Sequence, residues 1–277
     1  MIPNATATAR TLAVPGVRLH YVVRGTGPLL VLLGAPMDAD SFAPLADLMA
    51  TDHTVVTTDP RGVHRSVQDD PERDSTPQLR ADDVSRLLVH LDAGPADVLG
   101  SSGGAVTALA LAQAYPGQVG TVVAHEPPVV DLLDDAARAR HHAATEHQIA
   151  TYLAGDVLGA WAHFMADANI ELPEGALEMM FGGERAPRQV ADERFWFAHE
   201  LRGTTNWLPD IAALRAGGVR IVAGIGEDSA GETCDHTTRA LAAALGVGPT
   251  MFPGGHIAFA EDPDGFADRL RAVLRGN

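Results

Sequence analysis

The chain has 277 residues, 46% of them hydrophobic, and a formal net charge of −16 at pH 7. This length is sufficient for one large domain with a substantial buried core. The acidic balance disfavours nucleic acid and anionic membrane surfaces as partners. All 20 basic residues are arginines, which excludes a catalytic lysine, a Schiff base and a Walker-type phosphate loop.

Cysteine usage and the N-terminal stretch indicate the compartment. The single cysteine, Cys234, cannot form an intramolecular disulfide, as is typical of proteins in a reducing cytosol. Met1 to Thr11 lacks the apolar core of a secretory leader, and no later run approaches a membrane-spanning length. We therefore expect a cytoplasmic protein, and the Ala-, Gly-, Arg- and Asp-rich composition is typical of GC-rich bacterial genomes.

Apolar patterning predicts strands that alternate with helices along most of the chain. Leu29–Leu33 is a continuous apolar run, as expected of a strand buried on both faces of a parallel sheet. The alternation predicts an α/β fold with a doubly wound, mostly parallel sheet. The predicted strands are Thr11–Val14, Val17–Arg24, Leu29–Leu33, His53–Thr58, one ending at Asp97–Leu99, Val119–Ala124, Arg220–Ile225 and Pro249–Phe252. The predicted helices between them are Ser41–Ala50, Thr76–Leu91, Ala105–Tyr115, Cys234–Leu245 and Asp264–Leu274.

Residues 131–210 break this alternation, because they hold helix-like segments and no convincing strand. We predict a core formed by residues 1–130 and 211–277, with residues 131–210 inserted as a helical cap over the strand ends. The alternative is an ordinary helical face without a role in substrate binding. The helix-like segments are Asp134–Leu153, Val157–Ala168 and Val190–Leu201. Large side chains in this segment favour an apolar substrate pocket beneath it: Trp161, Phe164, Met165, Met179, Met180, Phe181, Phe195, Trp196, Phe197 and Trp207.

The most informative motif is Gly100-Ser101-Ser102-Gly103-Gly104, at a predicted strand-to-helix turn. Gly-x-Ser-x-Gly in this context is a nucleophile elbow, which lifts a serine hydroxyl above the edge of the sheet. The turn forces a strained backbone at Ser102, so the residues two before and two after must be small.

A serine hydroxyl is a weak nucleophile and needs a neighbouring base. Of the 12 histidines, His256 is the best candidate. It lies on a loop between the last predicted strand and the last predicted helix. This position preserves the chain order of serine, acid and histidine. The alternative is a surface-loop histidine without a catalytic role.

These motifs resemble those of the α/β-hydrolase superfamily, and the resemblance covers nearly the whole chain. The segment Asp59–Ser66, with the sequence DPRGVHRS, is similar to the family's Asp-x-Arg-Gly-x-Gly-x-Ser turn, with His64 in place of the second glycine. Leu33–Pro36 stands where many relatives carry His-Gly-x-Pro. The resemblance implies an α/β-hydrolase fold and an oxyanion hole formed by the backbone N–H groups of Ala35 and Gly103. It implies no metal ion and no organic cofactor.

The acid of the implied triad has two candidates. In most relatives it lies three residues after a glycine that ends the strand following the cap, and counting from Gly226 gives Ser229. A shift of one residue in this loop would bring Asp228 into place. Glu126 directly follows an earlier strand, where many haloalkane dehalogenases carry their acid at a similar spacing from the nucleophile. We predict Glu126 as the acid because catalytic groups gather at the carboxyl ends of the strands, and Asp228 remains the alternative.

Other polar residues are weaker candidates. His125, next to the predicted acid, is expected either to line the pocket or to satisfy the strand end. His199 and Glu200 are expected on an exposed helix face. The first predicted cap helix carries three histidines, and their spacing does not suit a pair of metal ligands. We expect all three on a solvated face: His141, His142 and His147.

The sequence therefore predicts a serine hydrolase with the triad Ser102, Glu126 and His256, acting on a small-molecule substrate. The expected substrates are partly apolar carboxylic esters, lactones or thioesters of small to medium size, cleaved through an acyl-enzyme. One alternative uses the same triad in a cofactor-free tailoring enzyme, either non-hydrolytic or cleaving C–C bonds, including the perhydrolase and haloperoxidase type. Another is a ligand-binding protein on the same fold, which intact Ser102 and His256 disfavour. Serine at the elbow disfavours epoxide and haloalkane hydrolysis.

Overall fold

A computed structural model describes residues 7–276 and gives a nine-stranded sheet surrounded by helices. Residues 1–6, part of the stretch expected to lack a secretory leader, lie outside the described residues. The strands are β1 (Thr8–Val14), β2 (Val17–Arg24), β3 (Leu29–Leu33), β4 (Thr54–Thr58), β5 (Val67–Gln68), β6 (Ala96–Ser101), β7 (Val119–His125), β8 (Arg220–Gly226) and β9 (Thr250–Phe252). The α-helices are α1 (Ala43–Met49), α2 (Pro77–Leu91), α3 (Gly103–Ala114), α4 (Asp135–Leu153), α5 (Val157–Ala168), α6 (Ala176–Phe181), α7 (Pro187–Phe195), α8 (Leu201–Thr205), α9 (Ile211–Ala216), α10 (Thr233–Leu245), α11 (Ala258–Glu261) and α12 (Pro263–Leu274).

The sheet is mostly parallel, as predicted. The strand order is β1-β2-β4-β3-β6-β7-β8-β9, with β5 paired to β2. The neighbouring strands in the run β4-β3-β6-β7-β8-β9 pair in parallel. By contrast, β2 pairs antiparallel with β1, β4 and β5. The order reverses between β3 and β6, and ligands of open α/β sheets bind outside the carboxyl ends of the strands at such a point. The loops that follow β3 and β6 therefore border the expected ligand crevice.

Helices cover both faces of the sheet, which explains the continuous apolar run of β3. All five residues of Leu29–Leu33 are buried. Successive strand side chains point to opposite faces. Val31 and Leu33 accordingly pack in one core cluster with residues of α2, α3 and α10. Leu30 and Leu32 pack in the other cluster with residues of α1, α11 and α12. Both halves of a doubly wound core are thus present.

Elements that the sequence pattern missed are short. β5 has two residues, and α6, α9 and α11 have six or fewer, which is too short for an apolar period to be recognised. Strand β1 begins at Thr8, earlier than predicted, because its register with β2 extends to the pair Thr8 and Val23.

Residues 131–210 contain the five helices α4 to α8 and no strand among their described positions. Part of this segment has a hydrophobic cluster of its own. In that cluster the Tyr152 and Phe197 rings stack with centroids 4.3 Å apart, and Trp161 stacks on Trp196 at 5.1 Å. None of the helices in the described part of the chain is long and apolar enough to cross a membrane.

The predicted helix Val190–Leu201 is interrupted. Helix α7 ends at Phe195, a π-helical turn spans Trp196–Glu200, and α8 follows. The wider turn changes which side chains face inward, and both Trp196 and Glu200 are buried. The expectation of an exposed Glu200 is therefore wrong, since its carboxylate lies 3.7 Å from the buried guanidinium of Arg80.

Candidate active site

The serine motif forms a sharp turn between β6 and α3. Ser102 has φ 55° and ψ −125°, a backbone conformation that non-glycine residues rarely adopt. The flanking glycines are required by close approach of the backbone. A Cβ on Gly100 would lie 2.3 Å from the Gly104 carbonyl oxygen, and one on Gly104 would lie 2.0 Å from that of Leu33. The size restriction expected from the motif thus has a direct steric cause.

Glu126 and His256 are brought together at the carboxyl edge of the sheet. Glu126 directly follows β7 with φ 51°, and its side chain is fully buried. The Gly226 N–H donates to Glu126 Oε1 at 2.8 Å, and His256 Nδ1 donates to Oε2 at 2.5 Å. The Gly226 N–H therefore holds Oε1 in place while Oε2 orients the imidazole.

The other acid candidate does not reach His256. Asp228 is exposed, and its backbone N–H donates to the Gly254 carbonyl at 3.0 Å. Ser229 is fully buried instead, at the position counted from the family pattern. A Cβ on Gly226 would lie 3.0 Å from Ser229 Oγ and 3.1 Å from Glu126 Oε1, so the two side chains flank the same glycine.

The surroundings of this pair shift its ionisation. Burial by itself raises the pKa of Glu126, but the hydrogen bond from His256 and the neighbouring histidines outweigh it and lower the pKa to about 2. Burial by itself lowers the pKa of His256, but Cys234 and the Glu126 carboxylate raise that pKa well above 6.5. For His125 the effect of burial outweighs the attraction of the Glu126 carboxylate, and its pKa is lowered to about 4. Of the adjacent histidines, His256 is thus the one whose imidazolium form is stabilised.

Ser102, His256, Ala35 and Gly103 all border one cavity of about 200 Å³. No hydrogen bond joins the Ser102 hydroxyl to the His256 ring in the described structure, and such bonds are often long before substrate binds. A Cβ on Gly103 would lie 2.5 Å from the Ala35 carbonyl oxygen, so the two backbone segments nearly touch. The Gly103 N–H belongs to the first turn of α3 and has no acceptor within the helix.

The cavity wall is mostly apolar and comes largely from residues 131–210. Trp161, Phe164 and Trp196 are the members of the predicted aromatic set that line it. Met179 is 80% exposed and Met180 is 50% exposed, whereas Trp207 packs in the core beneath the sheet. The predicted apolar set therefore divides among the cavity, the surface and the core.

The structure also places polar residues that the predicted triad does not include. His141 was expected on a solvated face, but it is 5% exposed and its Nδ1–H donates to Asp167 Oδ1 at 2.9 Å. His125 is fully buried, with Nδ1 3.1 Å from Ser101 Oγ. Cys234 borders the cavity beside His256. Asp167 is absent from the sequence-predicted site, although a carboxylate near the end of the mostly apolar helix Val157–Ala168 was the available signal.

One group of side chains has a geometry compatible with a cation. Ligand atoms of Asp38, Asp40 and His64 lie within 4.8 Å of one another. Asp38 already accepts from Ser41, and Asp40 accepts from Arg65 at 3.0 Å. Protein donors thus occupy part of this group, and it lies outside the cavity that Ser102 borders.

Comparison with known proteins agrees with the fold. The chain is 29% identical over 277 residues to the uncharacterized hydrolase YraK of Bacillus subtilis strain 168, covering 95% of each chain. It is 29% identical over 279 residues to a zearalenone hydrolase of Bionectria ochroleuca, covering 94% of this chain and 95% of the relative. The solved structure of Est816, described as an N-acyl homoserine lactone degrading enzyme, superposes with a TM-score of 0.71 at 20% identity, covering 95% of this chain and 99% of the other.

The strongest comparison is with a whole family. A family model described as "Alpha/beta hydrolase family" matches residues 29–269, from the first buried parallel strand to the last helix. This range includes the serine turn, Glu126 and His256. The fold, the order of the site residues and this match lead to one conclusion: the chain belongs to the alpha/beta hydrolase family and is a hydrolase of that type.

Proposed function

We propose that this protein is a serine hydrolase that cleaves partly apolar carboxylic esters, lactones or thioesters through an acyl-enzyme. The observation that carries the proposal is the 2.5 Å contact between His256 Nδ1 and the buried Glu126 carboxylate, beside the cavity into which Ser102 opens. A carboxylate on Nδ1 fixes the tautomer in which Nε2 is free to accept a proton from a serine hydroxyl. The arrangement is that of a nucleophile, a base and a group that orients the base.

In this mechanism Ser102 Oγ attacks the acyl carbonyl while His256 Nε2 takes its proton. The backbone N–H groups of Ala35 and Gly103 donate to the negatively charged oxygen of the tetrahedral intermediate. His256 then returns the proton to the leaving alcohol or thiol. A water molecule, deprotonated by His256, attacks the acyl-enzyme, and the acid is released as His256 returns the proton to Ser102 Oγ. Glu126 stays ionised throughout, in keeping with its lowered pKa.

Residues 131–210 serve in this proposal as a cap that shapes the substrate pocket. Trp161, Phe164 and Trp196 supply aromatic walls around the space that Ser102 borders. In another protein a cavity of about 150 Å³ encloses benzene. A cavity of about 200 Å³ suits an acyl or alcohol group of similar size, such as one ring or a short chain.

The proposal is tested by hydrolysis of p-nitrophenyl acetate and butyrate by the wild type, Glu126→Gln and Asp228→Asn. We expect an active wild type, a loss of about a thousandfold or more in kcat for Glu126→Gln, and wild-type rates for the exposed Asp228→Asn control. Wild-type rates for Glu126→Gln would remove Glu126 from the triad. Absence of turnover by folded wild-type protein would favour the non-hydrolytic tailoring enzyme.

A further inference from the structure

A small polar patch interrupts the apolar wall of the cavity. Asp167 on α5, Thr145 on α4 and Thr233 at the start of α10 border the same space as Ser102. The proposed ester chemistry uses none of these side chains. Polar groups in a mostly apolar pocket fix the orientation of a ligand and determine specificity.

Asp167 is held in a fixed position. The buried His141 donates from Nδ1 to Asp167 Oδ1 at 2.9 Å, which leaves Oδ2 for another donor. The Thr233 hydroxyl donates to the Asp167 backbone carbonyl at 2.7 Å. Two residues later, the Asn169 side-chain amide donates to the Gly231 carbonyl at 2.9 Å. These bonds join the end of α5 to the start of α10, so the carboxylate is preorganised for a ligand.

Thr145 supplies an independent observation in the same patch. It lies one turn after His141 on α4 and is 2% exposed. Its hydroxyl makes no hydrogen bond to any described residue, and it borders the cavity. A hydroxyl that borders a mostly apolar cavity is available to hydrogen-bond a ligand bound there.

We infer that Asp167, oriented by His141, and Thr145 form an anchor for a hydroxyl group on the apolar part of the substrate. The carboxylate accepts a hydrogen bond from the hydroxyl, and Thr145 supplies a second contact. The negative charge of Asp167 excludes substrates that carry a carboxylate at this place. This inference rests on the proposed function for the identity of the reacting bond, and it adds the class of substrate: hydroxylated esters or lactones.

The test measures binding to Ser102→Ala protein, which cannot turn the ligands over. The ligands are ethyl esters with acyl chains of four to eight carbons, each chain ending in a methyl, a hydroxyl or a carboxylate. We expect the hydroxyl esters of at least one chain length to bind about tenfold more tightly than the methyl esters, as for one hydrogen bond to a charged group. The carboxylate esters should bind more weakly than both.

Second variants in the Ser102→Ala background assign the effect. Asp167→Ala should bring the affinity ratio of hydroxyl to methyl esters close to one. Asp167→Asn should relieve the exclusion of carboxylate esters, and Thr145→Val should reduce the hydroxyl preference in part. Asp135→Ala, an exposed aspartate on α4 outside the cavity, is the matched control and should keep the wild-type ratios. Thermal unfolding of each variant confirms that it is folded.

Equal binding of hydroxyl and methyl esters at every chain length would overturn the inference, as would a hydroxyl preference that survives in folded Asp167→Ala and Thr145→Val. Because the measurement is equilibrium binding, it separates the two proposals. A hydroxyl preference in a protein that hydrolyses no ester would retain the anchor and reject the acyl-enzyme. Ester turnover without a hydroxyl preference would do the opposite.

Discussion

At the scale of single residues, the site depends on two side chains placed on strained backbone. Ser102 and Glu126 both have positive φ, and each directly follows a buried parallel strand. Such strain persists only where the surrounding structure holds it, and it clusters at functional sites. The Glu126 backbone N–H donates to the Gly224 carbonyl at 3.0 Å, so β8 holds this turn. The carboxylate consequently meets His256 without any loop rearrangement.

The pH dependence of kcat/KM follows from this pair. His256 must be neutral to accept a proton, so activity should rise with pH as its imidazolium deprotonates. Since its neighbours raise the pKa of His256, the midpoint of this rise should lie above pH 6.5 in the wild type. Glu126→Gln removes a carboxylate that stabilises the imidazolium, so the midpoint of its residual activity should move to lower pH. Profiles of kcat/KM over pH 5 to 10 measure both midpoints, and an unchanged midpoint in Glu126→Gln would contradict the assignment.

At the scale of elements, the serine turn is fixed by contact between β3, β6 and α3. Gly104 in the first turn of α3 lies against the carbonyl oxygen of Leu33 at the end of β3. The motif in the sequence predicts this turn, because only glycine fits so close an approach.

Buried hydrogen-bond networks were not predictable in the same way, since their partners are far apart in the chain. Arg80 on α2 bonds Thr204 on α8, and no local pattern relates these positions.

Gly104→Ala should destabilise the protein by about 2 kcal/mol or more, because the added Cβ would lie 2.0 Å from a backbone oxygen. Gly117→Ala is the matched control, since a Cβ there meets no atom within 4 Å. Urea unfolding of both variants measures the free energy of unfolding. If the two variants are equally stable, the turn is not the rigid element described above.

A second prediction at this scale concerns the buried arginine that joins α2 to residues 131–210. Arg80 donates to Thr107, to Ser75 and to Thr204, and it lies 3.7 Å from Glu200. Arg80→Met should cost about 3 kcal/mol or more, because it leaves a buried carboxylate without its cation.

The matched control for that arginine is Arg86→Met on the same helix. This substitution breaks a solvent-exposed pair between Arg86 and Asp82, which lies one turn before it. It should leave the unfolding curve close to that of the wild type. Chemical unfolding of Arg80→Met and Arg86→Met side by side gives the comparison, and similar curves would show that the buried pair contributes little.

At the scale of the whole molecule, alternation of strands and helices was enough to predict the fold. Parallel strands buried on both faces leave a clear apolar signal, and glycines at a tight turn leave another. The interior of residues 131–210 was harder to predict, because α6 and α8 are short and a π-helical turn separates α7 from α8. The polar anchor was missed for a different reason. Asp167, His141 and Thr145 come from two helices whose packing no local periodicity determines.

The central claim is that Ser102 forms an acyl-enzyme. We would incubate the wild type, Ser102→Ala and Glu126→Gln with p-nitrophenyl butyrate, quench with acid and measure the intact mass. The account predicts a gain of one butyryl group in the wild type or in the slowed Glu126→Gln variant, mapped to the peptide that contains Ser102, and none in Ser102→Ala. Butyrate release by Ser102→Ala at the wild-type rate, or an acyl group on another residue, would contradict it.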